Sequence, residues 1–259
     1  MNSSSSPTPL ASNATSAEPM RVDIFSDINC PWCYIGKRRF EQARAQLPFG
    51  DQLEVHWHSY ILDPDMPAHV EGTEQEYLVQ RKGMPAAAIE QMIGQVTDQA
   101  KAVGLDYDFD AVKVGSSLTA HRLLQAAASQ SPELAGQLKE SLMSGHFVEG
   151  LDGNDPADLR RMAERAGIPE QLVEQVLTDD SAYLPEVQED LDAARELGIR
   201  GVPFFVLGQK YGVSGAQSPE VFVQALTTAW EEHSRTQPRI VPLMQGDGSG
   251  EACAPGEVC

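Results

Sequence analysis

The chain has 259 residues, with 19 basic and 38 acidic side chains and a formal charge of −19. That length holds one large domain or two small ones. The acidity argues against a phosphate-backbone partner, which needs clustered Lys and Arg; no apolar run approaches the ~20 residues of a membrane helix; and 41% hydrophobic residues suffice for a packed core.

The first twenty residues, MNSSSSPTPLASNATSAEPM, hold no Lys or Arg and no apolar run. A secretory signal needs both, so the expectation is a cytoplasmic protein with a disordered tail over 1–19. Residues 20–27 alternate as a short strand, Val22, Ile24 and Ser26 against Asp23, Phe25 and Asp27. Residues 30–47 follow as a helix with Trp32, Ile35, Phe40 and Ala43 on one stripe and Lys37, Arg38 and Arg39 projecting into solvent. Pro31 suits the first helical position, where its missing N–H costs nothing, and Cys30 then takes the N-cap. Residues 53–62 read as a second strand.

Seven helices are predicted next, at 73–82, 85–103, 115–130, 132–147, 155–166, 169–178 and 182–197, separated by breakers such as Gly83, Pro85, Pro132, Gly167 and Pro169. No 30–45-residue repeat is present, which argues against a helical solenoid. Strand character returns at 199–207 and, after a Gly208-Gln209 turn, at 210–214. A last helix begins after Ser218, a good N-cap, with Pro219 at its first position. From about Gln237 the chain is a Gly- and Pro-bearing tail.

The chemistry rests on the cysteines. Four are present: Cys30 and Cys33 as C-x2-C, and Cys253 and Cys259 as C-x5-C in the tail. At a strand-to-helix junction, Cys30 faces unpaired N–H groups and the positive end of the helix dipole, which favours the thiolate. Cys30 is therefore expected to be the exposed attacking thiol with a depressed pKa. Cys33, one turn on and turned inward, is expected to resolve the mixed disulfide. The rival reading is a zinc half-site completed by Cys253 and Cys259. It is weakened because zinc knuckles sit on hairpin turns and the tail spacing is longer than usual; no metal site is assigned. Pro255-Gly256 is a turn signal that lets the tail thiols approach, so Cys253 and Cys259 are candidates for an auxiliary redox pair. A second signal is Gly201-Val202-Pro203, a proline opening an apolar strand, which reads as an edge or a cis turn.

Together with Cys30-Pro31-Trp32-Cys33, the segments SLTAHRLLQAA (117–127) and GVPFFVLGQKYGVSGAQSPEVF (201–222) resemble the DsbA-like branch of the thioredoxin superfamily, and within it the FrnE-type oxidoreductases. The resemblance spans about residues 20–233. It implies an α/β fold: a thioredoxin-like core over 20–62 and 196–233, a large all-helical insertion domain at 63–195 and a flexible C-terminal tail at 234–259. It also implies a Cys30–Cys33 disulfide that switches with substrate, and a cis bond before Pro203 packed against that pair. Pro31, Trp32, Val202 and Pro203 would line the substrate groove, with the Val202 backbone offered to an incoming peptide strand. The activity implied is that of a thiol–disulfide oxidoreductase or protein disulfide isomerase acting on disulfide- or thiol-containing client proteins. It needs no cofactor, and glutathione is a candidate electron donor. Hydroxychromene-carboxylate isomerases and kappa-class glutathione transferases resemble the same branch but typically carry Ser where this chain has Cys30. A glutathione-linked small-molecule enzyme is thus the alternative.

Other polar residues carry weaker expectations. Asp27 is a candidate to tune the thiolate or shuttle a proton. His121 is a packed helix residue or a lining of the groove. His56 and His58 share a strand face and could bind metal, but no acidic or thiol partner for them is evident, and Met84, Met92, Met143 and Met162 are expected in the core.

Overall fold

A computed structural model describes residues 18–236. Most of the predicted N-terminal tail, together with Cys253 and Cys259, lies outside the described residues. Four strands form one sheet in the order β2-β1-β3-β4. Strand β1 (Met20–Ser26) runs parallel to β2 (Leu53–Ser59), and the crossover between them is helix α1 (Pro31–Arg44). Strand β3 (Phe204–Leu207) is antiparallel to β1 and to β4 (Tyr211–Ser214).

Between β2 and β3 the chain forms α2 (Glu74–Lys82), α3 (Ala86–Lys101), α4 (Leu118–Ala128), α5 (Pro132–Phe147), α6 (Pro156–Arg165), α7 (Glu170–Thr178) and α8 (Leu184–Glu196); α9 (Pro219–Thr236) follows β4. Their starts follow local chemistry. Thr73 and Glu76 form a reciprocal capping box on α2. The Ser131 and Asp155 side chains accept from the first amides of α5 and α6, each with a proline just inside the helix.

Side-chain alternation splits the sheet. Met20, Val22, Ile24, Leu53, Trp57, Phe205 and Leu207 face one apolar cluster that includes Phe40 of α1 and Phe222 of α9 and continues into α4–α7. Phe205 stands 5.7 Å from the Phe40 ring and 4.6 Å from that of Phe222. On the other face Phe25 packs with Ala194 of α8, Ile199, Phe204 and Val206.

Two strands are shorter than their sequence pattern. β2 ends at Ser59 because the chain turns toward the sheet end, where the Leu62 amide donates to the Asp27 carboxylate at 2.8 Å. β3 starts only at Phe204, just after the cis Val202–Pro203 bond, and residues 199–203 lead into it. The hairpin loop takes in Lys210, whose amide donates to Leu207 O at 3.1 Å, with Gly208 and Gln209 both left-handed (φ 56 and 57).

Candidate active site

The site begins where β1 ends. A two-residue turn delivers Cys30 to the N-cap of α1 in extended conformation (φ −97, ψ 109), with Pro31 opening the helix. The Cys33 amide donates to Cys30 O at 2.9 Å. Cys30 and Cys33 are both free thiols and both buried. Their apolar surroundings are Tyr34, Ile35, Tyr107, Val112, Met143 and Phe147. The Tyr107 hydroxyl donates to Pro31 O at 2.8 Å and fixes the first turn.

Here two expectations for Cys30 fail. It is 5% exposed, while its neighbour Trp32 is the exposed residue of the motif at 40%. Its pKa moves up, not down. The hydrogen bond with Cys33, burial, and the negative charges of Cys33 and Asp27 all disfavour the thiolate, against the pull of the Cys33 amide. A helix N-terminus favours a thiolate only where the sulfur is solvated and no anion lies near it; Asp27 and the apolar cover supply the opposite conditions.

Val202 and Pro203 come from the other end of the sequence to the same spot. The Cys30 thiol donates to Val202 O at 3.7 Å, and the Val202–Pro203 bond is cis. The proline ring rests on α1 at Gly36: a Cβ there would lie 2.8 Å from Pro203 Cγ. Gly36 is thus what lets the proline loop reach the dithiol. A glycine inside an otherwise amphipathic helix was the signal for it.

Beneath the thiols lies a buried polar set. Asp27 is 1% exposed and accepts from Leu62 N at 2.8 Å, Asn29 N at 3.2 Å and His121 Nε2 at 3.3 Å. Burial works against its ionisation, yet the bonds from His121 and Leu62 hold the carboxyl below the usual range. His121 is fully buried and does not line a groove. Burial keeps it on the neutral side, so Nε2 carries the proton given to Asp27 and Nδ1 has no partner. Lys139 of α5 is fully buried, with Nζ donating to Ser26 O at 3.2 Å and 5.7 Å from the Trp57 ring. Burial lowers its pKa to about 8 against the pull of Cys33, Asp27 and Cys30. Sequence reasoning missed Lys139. The signal was its place in the four-residue stripe Ala135, Lys139, Met143 and Phe147, apolar at every other position.

The basic run of α1 is not a solvated face. Lys37 is buried and its Nζ reaches Glu140 at 2.6 Å and Glu41 at 2.5 Å. Arg38 also grips Glu140 and packs over the Tyr34 ring. Burial opposes the Glu140 charge, but Arg38 and Lys37 hold its pKa at about 2. Arg39 donates to Ala216 O and Gln99 Oε1, both at 2.6 Å. The reason is that α5 brings Glu140 against the side of α1 that periodicity assigned to water.

Contrary to expectation, both strand histidines have acidic partners: His58 is stacked on Phe25 and bridges Asp23 at 2.8 Å and Asp190 at 2.5 Å, the latter brought by α8, while His56 pairs with Glu54 at 2.5 Å. Among the described residues, no group of His, Cys, Asp and Glu is arranged to hold a metal ion, and no helix is long and apolar enough to cross a membrane. The methionines divide. Met143 and Met162 are core, but Met84 and Met92 line a pocket of about 730 Å³ that opens beside Cys30, Pro31 and Trp32.

Comparison with known proteins agrees with this geometry. A crystal structure described as a probable DsbA oxidoreductase, SCO1869 from Streptomyces coelicolor, is similar at 40% identity over 92% of this chain and 97% of that one, with a TM-score of 0.76. The cytosolic disulfide reductase DsbM from Pseudomonas aeruginosa, solved with GSH, shares the fold at 18% identity, 82% and 99% coverage and a TM-score of 0.58. The uncharacterized protein YwbO of Bacillus subtilis (strain 168) is 22% identical over 216 residues, 80% of this chain and 96% of its own. The profile of the DSBA-like thioredoxin domain matches residues 21–227. With most of the chain matched, from β1 into α9, this protein belongs to the DSBA-like thioredoxin domain family.

Proposed function

We propose that the protein is a thiol–disulfide oxidoreductase acting on disulfides of client proteins through Cys30 and Cys33, with the dithiol as the reductant. The observation that carries this reading is the Cys30 thiol at the N-cap of α1, 3.7 Å from the carbonyl that precedes cis-Pro203 and lining the pocket of about 730 Å³.

In the proposed reaction Cys30, as thiolate, attacks one sulfur of a client disulfide. An S–S bond forms between protein and client, and the other client sulfur leaves as a thiolate that takes up a proton. Cys33 loses its proton and attacks Cys30 Sγ, releasing the second client thiol. The client gains two electrons and the Cys30–Cys33 pair loses them as a disulfide. If a second client thiol attacks the mixed disulfide first, the client is isomerised with no net redox change. Two molecules of a small thiol such as glutathione would restore the dithiol, becoming glutathione disulfide.

The reducing direction is supported by the surroundings of Cys30. A stabilised thiolate makes the reduced form favourable and the disulfide oxidising. Burial, Cys33 and Asp27 deny Cys30 that stabilisation. Lys139 is buried on α5, one turn before Met143 of the site wall, and interacts electrostatically with Cys33, so it offers a positive charge to offset a transient thiolate there. In the same reading Cys253 and Cys259 are an auxiliary pair, and Cys253→Ser/Cys259→Ser should alter turnover or reduction potential.

The test is reactivation of scrambled ribonuclease by the reduced protein in a glutathione buffer. Activity that disappears in Cys30→Ser supports the reading. An inactive wild type, or an active Cys30→Ser, contradicts it.

A further inference from the structure

The pocket beside Cys30 has a chemical bias. Its walls are mostly apolar, with Met66, Leu78, Met84, Met92, Ile93 and Val96 among them. The titratable groups that line it are Asp27, Asp63, Glu74, Tyr77, Arg81 and His146, besides Cys30 itself. All but one of the charged groups are committed. Asp27 is bonded by Leu62, Asn29 and His121. Asp63 accepts from Arg81 Nε at 2.5 Å and Nη2 at 2.8 Å, and from the Tyr77 hydroxyl at 2.6 Å, so the single guanidinium is already neutralised. Burial keeps His146 uncharged, its pKa down at about 4.

Glu74 is the exception. It is half-buried in the first turn of α2 and, among the described residues, its side chain has neither a hydrogen bond nor an ion pair. It is not the cap of that helix, because Thr73 and Glu76 do that work. We propose that Glu74 selects clients: it receives a lysine or arginine side chain placed near the client's disulfide cysteine, whose aliphatic stem lies along the methionine wall. This deepens the exchange reaction proposed above and rests on it. Three carboxylates face the pocket against one paired guanidinium, so a cationic group is attracted and an anionic one repelled. Burial without a partner leaves Glu74 with a pKa raised to about 7, and a cation seated opposite would remove that penalty.

The experiment compares two peptide disulfides of equal length, one with Arg and one with Glu flanking the cysteine, as substrates of the reduced full-length protein. The wild type is expected to favour the Arg peptide in kcat/KM by about tenfold. Glu74→Gln should bring the ratio close to one, and Glu74→Lys should favour the Glu peptide. A ratio that is the same in wild type and both variants overturns the inference. Reduction of neutral hydroxyethyl disulfide by the wild type reports the exchange chemistry alone. Its absence would overturn the underlying reaction, whereas its presence with an unaltered ratio would overturn only the role of Glu74.

Discussion

The Cys30 thiol lies 3.7 Å from the carbonyl oxygen of Val202, a residue 172 positions away in sequence. That contact joins the start of the first helix to the loop before β3, and it makes the carbonyl of the cis-proline loop part of the thiol's own surroundings. In the proposed reaction, a client strand pairing with the Val202 backbone would compete with the thiol for this carbonyl.

One consequence concerns the nucleophile's acidity. The Cys30 thiol in the reduced protein should titrate above an ordinary thiol, seen as ultraviolet thiolate absorbance that develops only at high pH. Asp27→Asn removes a negative charge and should lower that midpoint and speed alkylation at about pH 8. A midpoint in the acid range, or one that Asp27→Asn leaves in place, contradicts the electrostatic account of the site.

The reduction potential follows from the same physics. With no thiolate stabilised at neutral pH, the Cys30–Cys33 couple should equilibrate with glutathione closer to about −270 mV than to about −120 mV. A potential at the oxidising end would show that the dithiol is stabilised by contacts other than those described.

The Pro203 loop depends on Gly36. In Gly36→Ala the new methyl meets Pro203 Cγ at 2.8 Å and either the loop or the helix must give way. The expected result is a stability loss of about 1–3 kcal/mol with reduced exchange activity, read by urea unfolding and disulfide reduction. Wild-type behaviour in both would mean that Pro203 packs elsewhere.

On β2, His58 gives a pH signature. Burial opposes its protonation but Asp190 and Asp23 raise its pKa to about 9. A raised folded value means the stabilising charge is fully present below about pH 6.5 and is lost as pH climbs toward the folded value. Urea unfolding should therefore show the wild type losing about 1–3 kcal/mol across that interval. His58→Asn should flatten the profile and be less stable at its acid end. A wild-type profile that does not fall would mean His58 is neutral between the two carboxylates.

Much of this fold was readable in advance because its signals are local. Pro31, Pro132, Pro156 and Pro219 mark helix starts, Ser131 and Asp155 cap them, and the apolar alternation of β1 and β2 needs only the neighbouring residues. The approach of Pro203 to Cys30 came from a family resemblance, since nothing within the Val202-Pro203 segment alone specifies its partner. What escaped depends on distant residues. Lys37 and Arg38 look solvated until α5 supplies Glu140. Cys30 looks exposed until Val202, α3 and the 107–112 segment pack around it, and its pKa reverses once Asp27 is known to be buried nearby. Met84 and Met92 have the composition of core residues, and only the packing of α2 and α3 leaves them lining a pocket.

The central claim is that Cys30 attacks client disulfides and Cys33 resolves the product, and it is tested most directly by trapping. Cys33→Ser, incubated with a disulfide-bonded client and analysed intact by mass spectrometry, should accumulate a mixed disulfide at Cys30. With Cys253→Ser/Cys259→Ser as the common background, the same treatment of the intact Cys30–Cys33 pair should leave none, and Cys30→Ser should form none. A Cys33→Ser protein that turns over freely without an adduct, or an adduct that survives in Cys30→Ser, would contradict it.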